Sequence, residues 1–325
     1  MSFLQAFGLC SREVLPTAMT CCPLVTIITP TYNQADYLPE TIESVLAQTY
    51  PNIEYLVIDD GSKDETPTVL ERYRDRLQVI RQDNMGQSRT INRGVDLARG
   101  EIVGYLSSDD VLHSTAVARL VEVLVEDEGV VCAFPDSDLI DPTSKVIKRK
   151  VCRPFDASDL LVRQECYIGP GALYRTEDAR IVGGWRPELR LAPDREFWLR
   201  LSARGRFHFV QESLAGYRTH PGSTSYAVVS EAQSREYLSV LDDFYDDGRL
   251  EPALQARRDE AYGYANFLIA RNCLRGGQFM QAFRYYHRAV RLHSPLLSPQ
   301  AVLMLFKSSV SKGLRLLYHR LGKNR

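Results

Sequence analysis

Four short polar stretches hold the residues with chemical reach. They read Pro30-Thr31-Tyr32-Asn33, Asp59-Asp60-Gly61-Ser62, Arg81-Gln82-Asp83-Asn84 and Ser107-Ser108-Asp109-Asp110. Carboxylates packed side by side raise each other's pKa, and no Lys or Arg lies between Glu101 and Asp110 to offset the last pair. Such acids suit a divalent cation. Hard cations take carboxylate oxygens, and Mg²⁺ or Mn²⁺ held by one or two of them also takes phosphate oxygens of a substrate. One of Asp109 and Asp110 would then face the metal and the other a neighbouring hydroxyl. Taken alone, the pair reads as an ordinary turn with its acids in solvent. Asp59-Asp60 adds carboxylates able to accept from an imide N–H or from ribose hydroxyls. No GxGxxG follows a strand, and neither GxxxxGK[ST] nor GxSxG occurs, which argues against a dinucleotide fold, a P-loop and a nucleophile elbow. The expected ligand is a nucleoside diphosphate held through a metal rather than by a glycine cradle.

Each polar stretch follows a strand-like run. Residues 24–28, 53–58, 77–80 and 102–106 are apolar and β-branched, as buried strands are. Between them, 38–48, 66–73, 87–98 and 114–126 carry helical periodicity. Strands alternating with helices predict an α/β fold with a parallel sheet. In such sheets ligands sit outside the carboxyl ends of the strands, so the four stretches should meet in one site. Past residue 130 the pattern loosens. "YIGPGALYR" reads as a strand edge or loop, Asp136, Asp138 and Asp141 as a solvated turn over 134–142, and 194–204 as a helix starting at Asp194. A hinge is expected over 242–252. Beyond it, Ala265, Leu268, Ala270, Gly276, Gly277, Phe279, Ala282, Tyr286, Ala289 and Pro295 match one tetratricopeptide-like helix pair. One repeat makes no solenoid, so the pair should pack on the main domain. Leu303, Phe306, Val310, Leu314, Leu317 and Leu321 form a stripe with Lys307, Lys312, Arg315 and Arg320 on other faces. That is a basic amphipathic helix, which either lies on a membrane or caps the helical layer.

The chain has 325 residues, 44% hydrophobic and 25% charged, with net charge −1. That is ordinary for a globular protein of one large domain with an appendage, or of two domains. The charge is unevenly placed. After Glu260 there are 11 Lys and Arg and no acid, whereas the first 260 residues hold 29 basic and 41 acidic residues. The basic end points to an anionic surface or to a solvated helical face. Seven cysteines with no CxxC indicate neither a disulfide framework nor a zinc site, and they fit a reducing compartment. Residues 1–22 make a poor signal peptide, with Arg12 and Glu13 in the middle, and are expected to be a loosely ordered leader. No run of 18 apolar residues occurs, so no membrane-spanning helix is expected.

"VTIITPTYNQADYLPETIESVLAQTYPNIEYLVIDDGSKDET", then "NMGQSRTINRGVDLARGEIVGYLSSDDV", "GGWRPELRLAPDREFWLRLSARG" and "YRTHPGSTS" resemble, in order and spacing, the family 2 glycosyltransferases of GT-A fold over about residues 23–226. The resemblance implies a Rossmann-like, mostly parallel sheet flanked by helices over 23–245, with a helical extension over 250–325. It implies inverting transfer of a sugar from a nucleoside diphosphate sugar, most commonly a UDP-sugar, to an acceptor hydroxyl with Mn²⁺ or Mg²⁺. The partners would be the nucleotide sugar and a saccharide or lipid-linked acceptor, with no nucleic acid, in cell-surface or exported polysaccharide synthesis. The place would be the cytoplasm at the inner membrane face, with peripheral contact through 296–325. The alternative is a catalytically idle relative acting through its helical tail.

Carried onto this chain, the motifs imply that Pro30, Thr31 and Tyr32 line the nucleoside pocket, with Asp60 on the base and Asp59 supporting its loop. Asn84, Gly86, Arg89 and Asn92 would border the nucleotide and donor sugar, with Arg89 on the diphosphate. Ser108 and Asp109 would sit by the ribose or sugar, and Asp110 would ligate the metal together with His220. Arg218 and His220 would flank the diphosphate, Asp194 would be the catalytic base, and Trp185 would meet the acceptor. Plainer readings stand beside these: Asp194 as a helix N-cap, His220 as a loop histidine and Trp198 as core. The chain departs from the pattern at Pro193, where the family carries Glu and where the helix start would tilt, and at Ser107, where it often carries Asp or Asn.

Overall fold

The computed structural model describes residues 22–191, 193–223, 229–248 and 250–306. The leader up to residue 21 and the basic end from residue 307 lie outside the described residues. Four strands, β1 (Val25–Thr31), β2 (Ile53–Asp59), β3 (Gln78–Arg81) and β4 (Ile102–Tyr105), pair in parallel in the order β3-β2-β1-β4. Helices α1 (Leu38–Leu46), α2 (Thr66–Glu71) and α3 (Gln87–Leu97) connect them. Along each strand successive side chains enter opposite layers. Val25, Ile27, Tyr55, Val57 and Ile102 join one core with Leu38 and Ile42 of α1. Ile28, Leu56, Ile58 and Val103 join the other with Ile91 and Val95 of α3.

The chain continues through β5 (Val111–Leu112), α4 (Ala116–Glu126), β6 (Val130–Ile140), β7 (Val146–Lys148), β8 (Leu173–Arg175), α5 (Thr176–Ile181), α6 (Pro193–Ser202) and β9 (Arg206–Arg218). The nine-stranded sheet extends past β4 in the order β8-β6-β9-β5, with β7 on β6. This half is mixed: β8 runs antiparallel to β4 and β6, β5 runs antiparallel to β9, and β6 runs parallel to β9. The solvated turn expected over 134–142 is instead mostly β6. Asp136 and Asp138 are buried because backbone donors meet them: Asp136 Oδ1 accepts from Ser137 at 2.8 Å and Cys152 at 3.0 Å, and Asp138 Oδ1 from Lys150 at 3.0 Å.

Five helices follow, α7 (Glu231–Ser234), α8 (Glu236–Asp246), α9 (Pro252–Gln255), α10 (Arg258–Arg275) and α11 (Phe279–Leu292). The hinge expected over 242–252 begins inside α8. Tyr245 is buried there and its hydroxyl donates to the Leu254 carbonyl at 3.3 Å, which ties α8 to α9. Gly276 and Gly277 turn the chain between α10 and α11. Ala261, Ala265 and Ile269 of α10 share one core with Leu160, Leu161, Trp198 and Leu241. That layer is continuous with the sheet, and it brings α10 up to the strand ends.

Candidate active site

β1 lies between β2 and β4, so the connections leaving β1 and β4 diverge and open a crevice where α/β sheets bind ligands. A cleft of about 860 Å³ occupies it, within the roughly 300–1,000 Å³ typical of small-molecule sites. Pro30, Thr31, Tyr32, Asp60, Asn84 and Gly86 line one end, Ser107, Ser108, Asp109 and Asp110 its floor, and Trp185 and Asp194 the far side.

The nucleoside end is stitched from three loops. Asp59 is buried; its Oδ1 accepts from the Ser62 N–H at 2.9 Å, and Ser62 Oγ accepts from the Asn33 N–H at 2.9 Å. Asp60 bridges to the loop before α3. Its Oδ1 accepts from Gln82 Nε2 at 2.8 Å and the Met85 N–H at 2.9 Å, and its Oδ2 from the Gly86 N–H at 2.8 Å. Gly61 has φ +78°, and a Cβ there would fall 2.9 Å from the Asn84 nitrogen. Only glycine lets these two loops touch.

At the floor the two acids part. Asp109 faces the cleft, and its Oδ2 lies 3.0 Å from His220 Nε2. The His220 ring packs on Tyr37 with centroids 4.5 Å apart, which fixes its plane. Asp110 is buried; its Oδ1 accepts from the Arg218 N–H at 2.8 Å and its carbonyl accepts from Thr41 Oγ1 at 2.8 Å. Burial, with Asp109 next, pushes the Asp110 carboxyl well above the usual carboxylate range, although Arg218 pulls the other way. β9 thus engages Oδ1 of Asp110, the expected metal ligand, although Asp110 also lines the cleft; Asp109 and His220 are the pair left facing each other.

The pair fits a divalent cation. Two ligands about 2.1 Å from an octahedral ion and at right angles lie about 3 Å apart. Among the described residues no third His, Cys, Asp or Glu joins them. Asp109 and His220 would hold the ion, and the remaining positions fall to water and phosphate oxygens, the habit of Mg²⁺ and Mn²⁺ sites.

Four other expected contacts are engaged elsewhere, closed off or outside the cleft. The Arg218 guanidinium is buried away from the cleft: Nε donates to the Asp109 carbonyl at 2.6 Å, Nη1 to Ser144 Oγ at 2.9 Å and Nη2 to Glu40 at 2.6 Å. It struts the acid loop and does not line the cleft. The Asn92 amide clamps Trp185, donating to its carbonyl at 2.7 Å and accepting from its N–H at 2.7 Å. Arg89 is exposed and outside the cleft lining. Trp185 lines the cleft but is 3% exposed, with Phe197 stacked on it and Tyr105 edge-on. Its ring therefore offers no open face to an acceptor sugar. Trp198 is core, as read from the sequence.

Asp194 stands in the first turn of α6, one residue inside the helix and not at its cap. Pro193 opens the helix, a position that suits proline because its missing N–H has no intrahelical partner. No tilt is needed. The Asp194 carboxylate makes no hydrogen bond to another described residue and stands in the cleft wall. Arg200, six residues on in the same helix, donates from Nη2 to the Gly184 carbonyl at 2.6 Å and pairs with buried Glu196. The base candidate and the Gly183-Gly184-Trp185 turn are thus held by one helix.

Several lining residues have no role in the sequence reading: Tyr105 and Arg195, which stand inside its motifs, and Tyr237, Arg271 and Arg275, which stand outside them. Arg271 and Arg275 are four apart in "ANFLIARNCLRGG", which would place both on one helical face. Nine side-chain N or O atoms of described residues are buried without a hydrogen bond, and five belong to cleft residues: Thr31 Oγ1, Trp185 Nε1, Arg195 Nη1, Arg271 Nε and Arg275 Nε. Each such atom costs about 1–3 kcal/mol, so their concentration marks the cleft as a place awaiting polar partners.

Residues 26–181 match the family described as Glycosyl transferase family 2. An uncharacterised glycosyltransferase of Nostoc sp. is 31% identical over 254 residues, 72% of this chain and 78% of that one. Chondroitin synthase of Escherichia coli is 28% identical over 228 residues, 68% of this chain and 32% of that larger protein. Residues 1–349 of S. aureus TarS, solved in complex with UDP-GlcNAc, superimpose with a TM-score of 0.65 at 19% identity over 89% of both chains. The fold is shared with that protein.

Proposed function

This chain belongs to glycosyl transferase family 2, and from that premise we propose that it transfers a sugar from a UDP-sugar to an acceptor hydroxyl with inversion, in cell-surface or exported polysaccharide assembly. The observation that carries the reading is one cleft with two facing stations, Asp109 with His220 on its floor and Asp194 on its far wall. TarS in complex with UDP-GlcNAc supports the donor class, and chondroitin synthase the polysaccharide setting.

The nucleoside lies against Pro30, Thr31, Tyr32 and Asn84, with the orphaned Thr31 hydroxyl free to hydrogen-bond it. Asp194 takes the proton of the acceptor hydroxyl as its oxygen attacks the anomeric carbon. The bond from that carbon to the diphosphate oxygen breaks, and its electron pair leaves with the diphosphate. A single displacement inverts the centre. A Mn²⁺ or Mg²⁺ held by Asp109 and His220 would supply charge stabilisation to the leaving diphosphate.

The test is release of nucleoside diphosphate from a panel of UDP-, GDP- and dTDP-sugars with Mn²⁺ and acceptor extracts. Turnover of UDP-sugars is expected. No turnover of any donor, with no thermal protection by any nucleotide, would sink the enzyme reading. Asp194→Asn should lower transfer about 10²–10⁴-fold, the usual worth of a general base, while UDP and Mn²⁺ still bind. Loss of both would make Asp194 structural.

A further inference from the structure

Three guanidinium groups converge on the Asp194 side of the cleft. Arg195 follows the proposed base in α6, and Arg271 and Arg275 reach in from α10. Arg195 lies over the Tyr237 ring, 5.2 Å from its centroid, and Arg271 and Arg275 line the same cleft with Tyr237. No carboxylate forms a salt bridge within 4.0 Å of any of them among the described residues, and each has a buried nitrogen without a hydrogen-bond acceptor. Burial and the neighbouring Arg275 pull Arg271 down to about 10, and burial lowers Arg275 as well, whereas Arg195 is raised despite its burial by Tyr237 and Asp194. Buried guanidinium groups without a salt-bridge partner are unfavourable, and this fold keeps Arg271 and Arg275 beside Arg195 at a ligand cleft.

We propose that Arg195, Arg271 and Arg275 form an anion subsite for the acceptor, which carries a phosphate next to the hydroxyl that is glycosylated. The proposal rests on the reading of Asp194 as the base, because Arg195 adjoins it and the acceptor oxygen must meet it. The donor diphosphate has its own station at Asp109 and His220. Arginine suits phosphate because its planar fork donates two parallel hydrogen bonds. The phosphate belongs either to a glycan phosphodiester or to a lipid-linked phosphate, and both present the same oxygens.

The test uses the full chain saturated with UDP and Mn²⁺, titrated with inorganic phosphate against chloride at matched ionic strength. Phosphate should bind the UDP-loaded protein. Arg271→Gln and Arg275→Gln should each weaken it about ten-fold or more, since each removes a charge-assisted bond. Arg275→Lys should restore part of the loss. UDP affinity should move less than two-fold in all three. The proposal fails if phosphate no longer binds once UDP is present, if the variants bind phosphate as wild type does, or if UDP affinity falls in step. Wild type that binds UDP but ignores phosphate overturns this proposal alone; wild type that binds no nucleotide overturns the donor reading beneath it. In turnover, a sugar phosphodiester and a polyprenyl-phosphate-linked sugar are compared with the same sugar lacking phosphate. Preference for either phosphorylated acceptor, lost in Arg271→Gln, supports the subsite and names its source. Equal use of all three overturns it.

Discussion

Asp109 and Asp110 are neighbours with opposite fates. One faces the cleft beside His220; the other is buried under the Arg218 N–H. The two variants should therefore separate. Asp109→Asn should raise the Mn²⁺ concentration needed for nucleotide binding by about ten-fold or more, as loss of a charged ligand does, with little change in unfolding free energy. Asp110→Asn should cost roughly 1–3 kcal/mol of stability and leave Mn²⁺ dependence near wild type. Manganese titrations and urea melts on both proteins would check this, and the reverse pattern would return the ligand role to Asp110. Sequence could mark the acid pair but not divide it. The deciding partner is on β9, 108 residues away, and no local pattern carries that pairing. The same holds for Arg218 and Asn92: both types suit phosphate or sugar contact, yet Glu40, Ser144 and the Trp185 backbone occupy them.

At the level of elements, β1 to β4 and their helices could be read from apolar periodicity because local burial made the pattern. β6 could not, since Asp136-Ser137-Asp138 looks like a turn. Its acids are buried only because backbone N–H groups from Ser137, Lys150 and Cys152 arrive there. β5, two residues long, has no periodic signal at all. The helices after α8 are a further case. Ala261, Ala265, Ile269 and Cys273 complete the same core as Trp198, Leu241 and Tyr245. Each large apolar side chain uncovered costs about 1.5–3 kcal/mol. A chain ending at residue 249 should accordingly be insoluble or melt at least about 10 °C lower, measured by soluble yield and thermal unfolding. A truncated chain with wild-type melting would make the extension a separate unit.

Across the whole molecule, charge is sorted. Acids from the β-strand ends and arginines from α6 and α10 face each other over one cleft. The last 19 residues, from Lys307, add six Lys and Arg and no acid. The described helices include none long and apolar enough to cross a membrane. We propose that this basic end adds peripheral contact with anionic lipid on the cytoplasmic face. Leu296 and Leu305 belong to the core, so the informative deletion is 307–325. It should weaken sedimentation with phosphatidylglycerol vesicles several-fold, the deficit shrinking as salt screens the charges, while UDP binding is unchanged. Equal sedimentation with and without the segment would exclude lipid contact there.

The three hydrogen bonds that Asp60 accepts from Gln82, Met85 and Gly86 bear on how a donor is received. The loop they hold is already ordered when the nucleoside arrives, and the conformational entropy of ordering it is settled during folding. Affinity then depends on what the nucleotide gains from a rigid wall, with little lost to closing a loop. Discrimination among bases rests on shape and on the few unused acceptor positions, because this part of the pocket cannot remodel itself around a wrong base without first breaking bonds of its own.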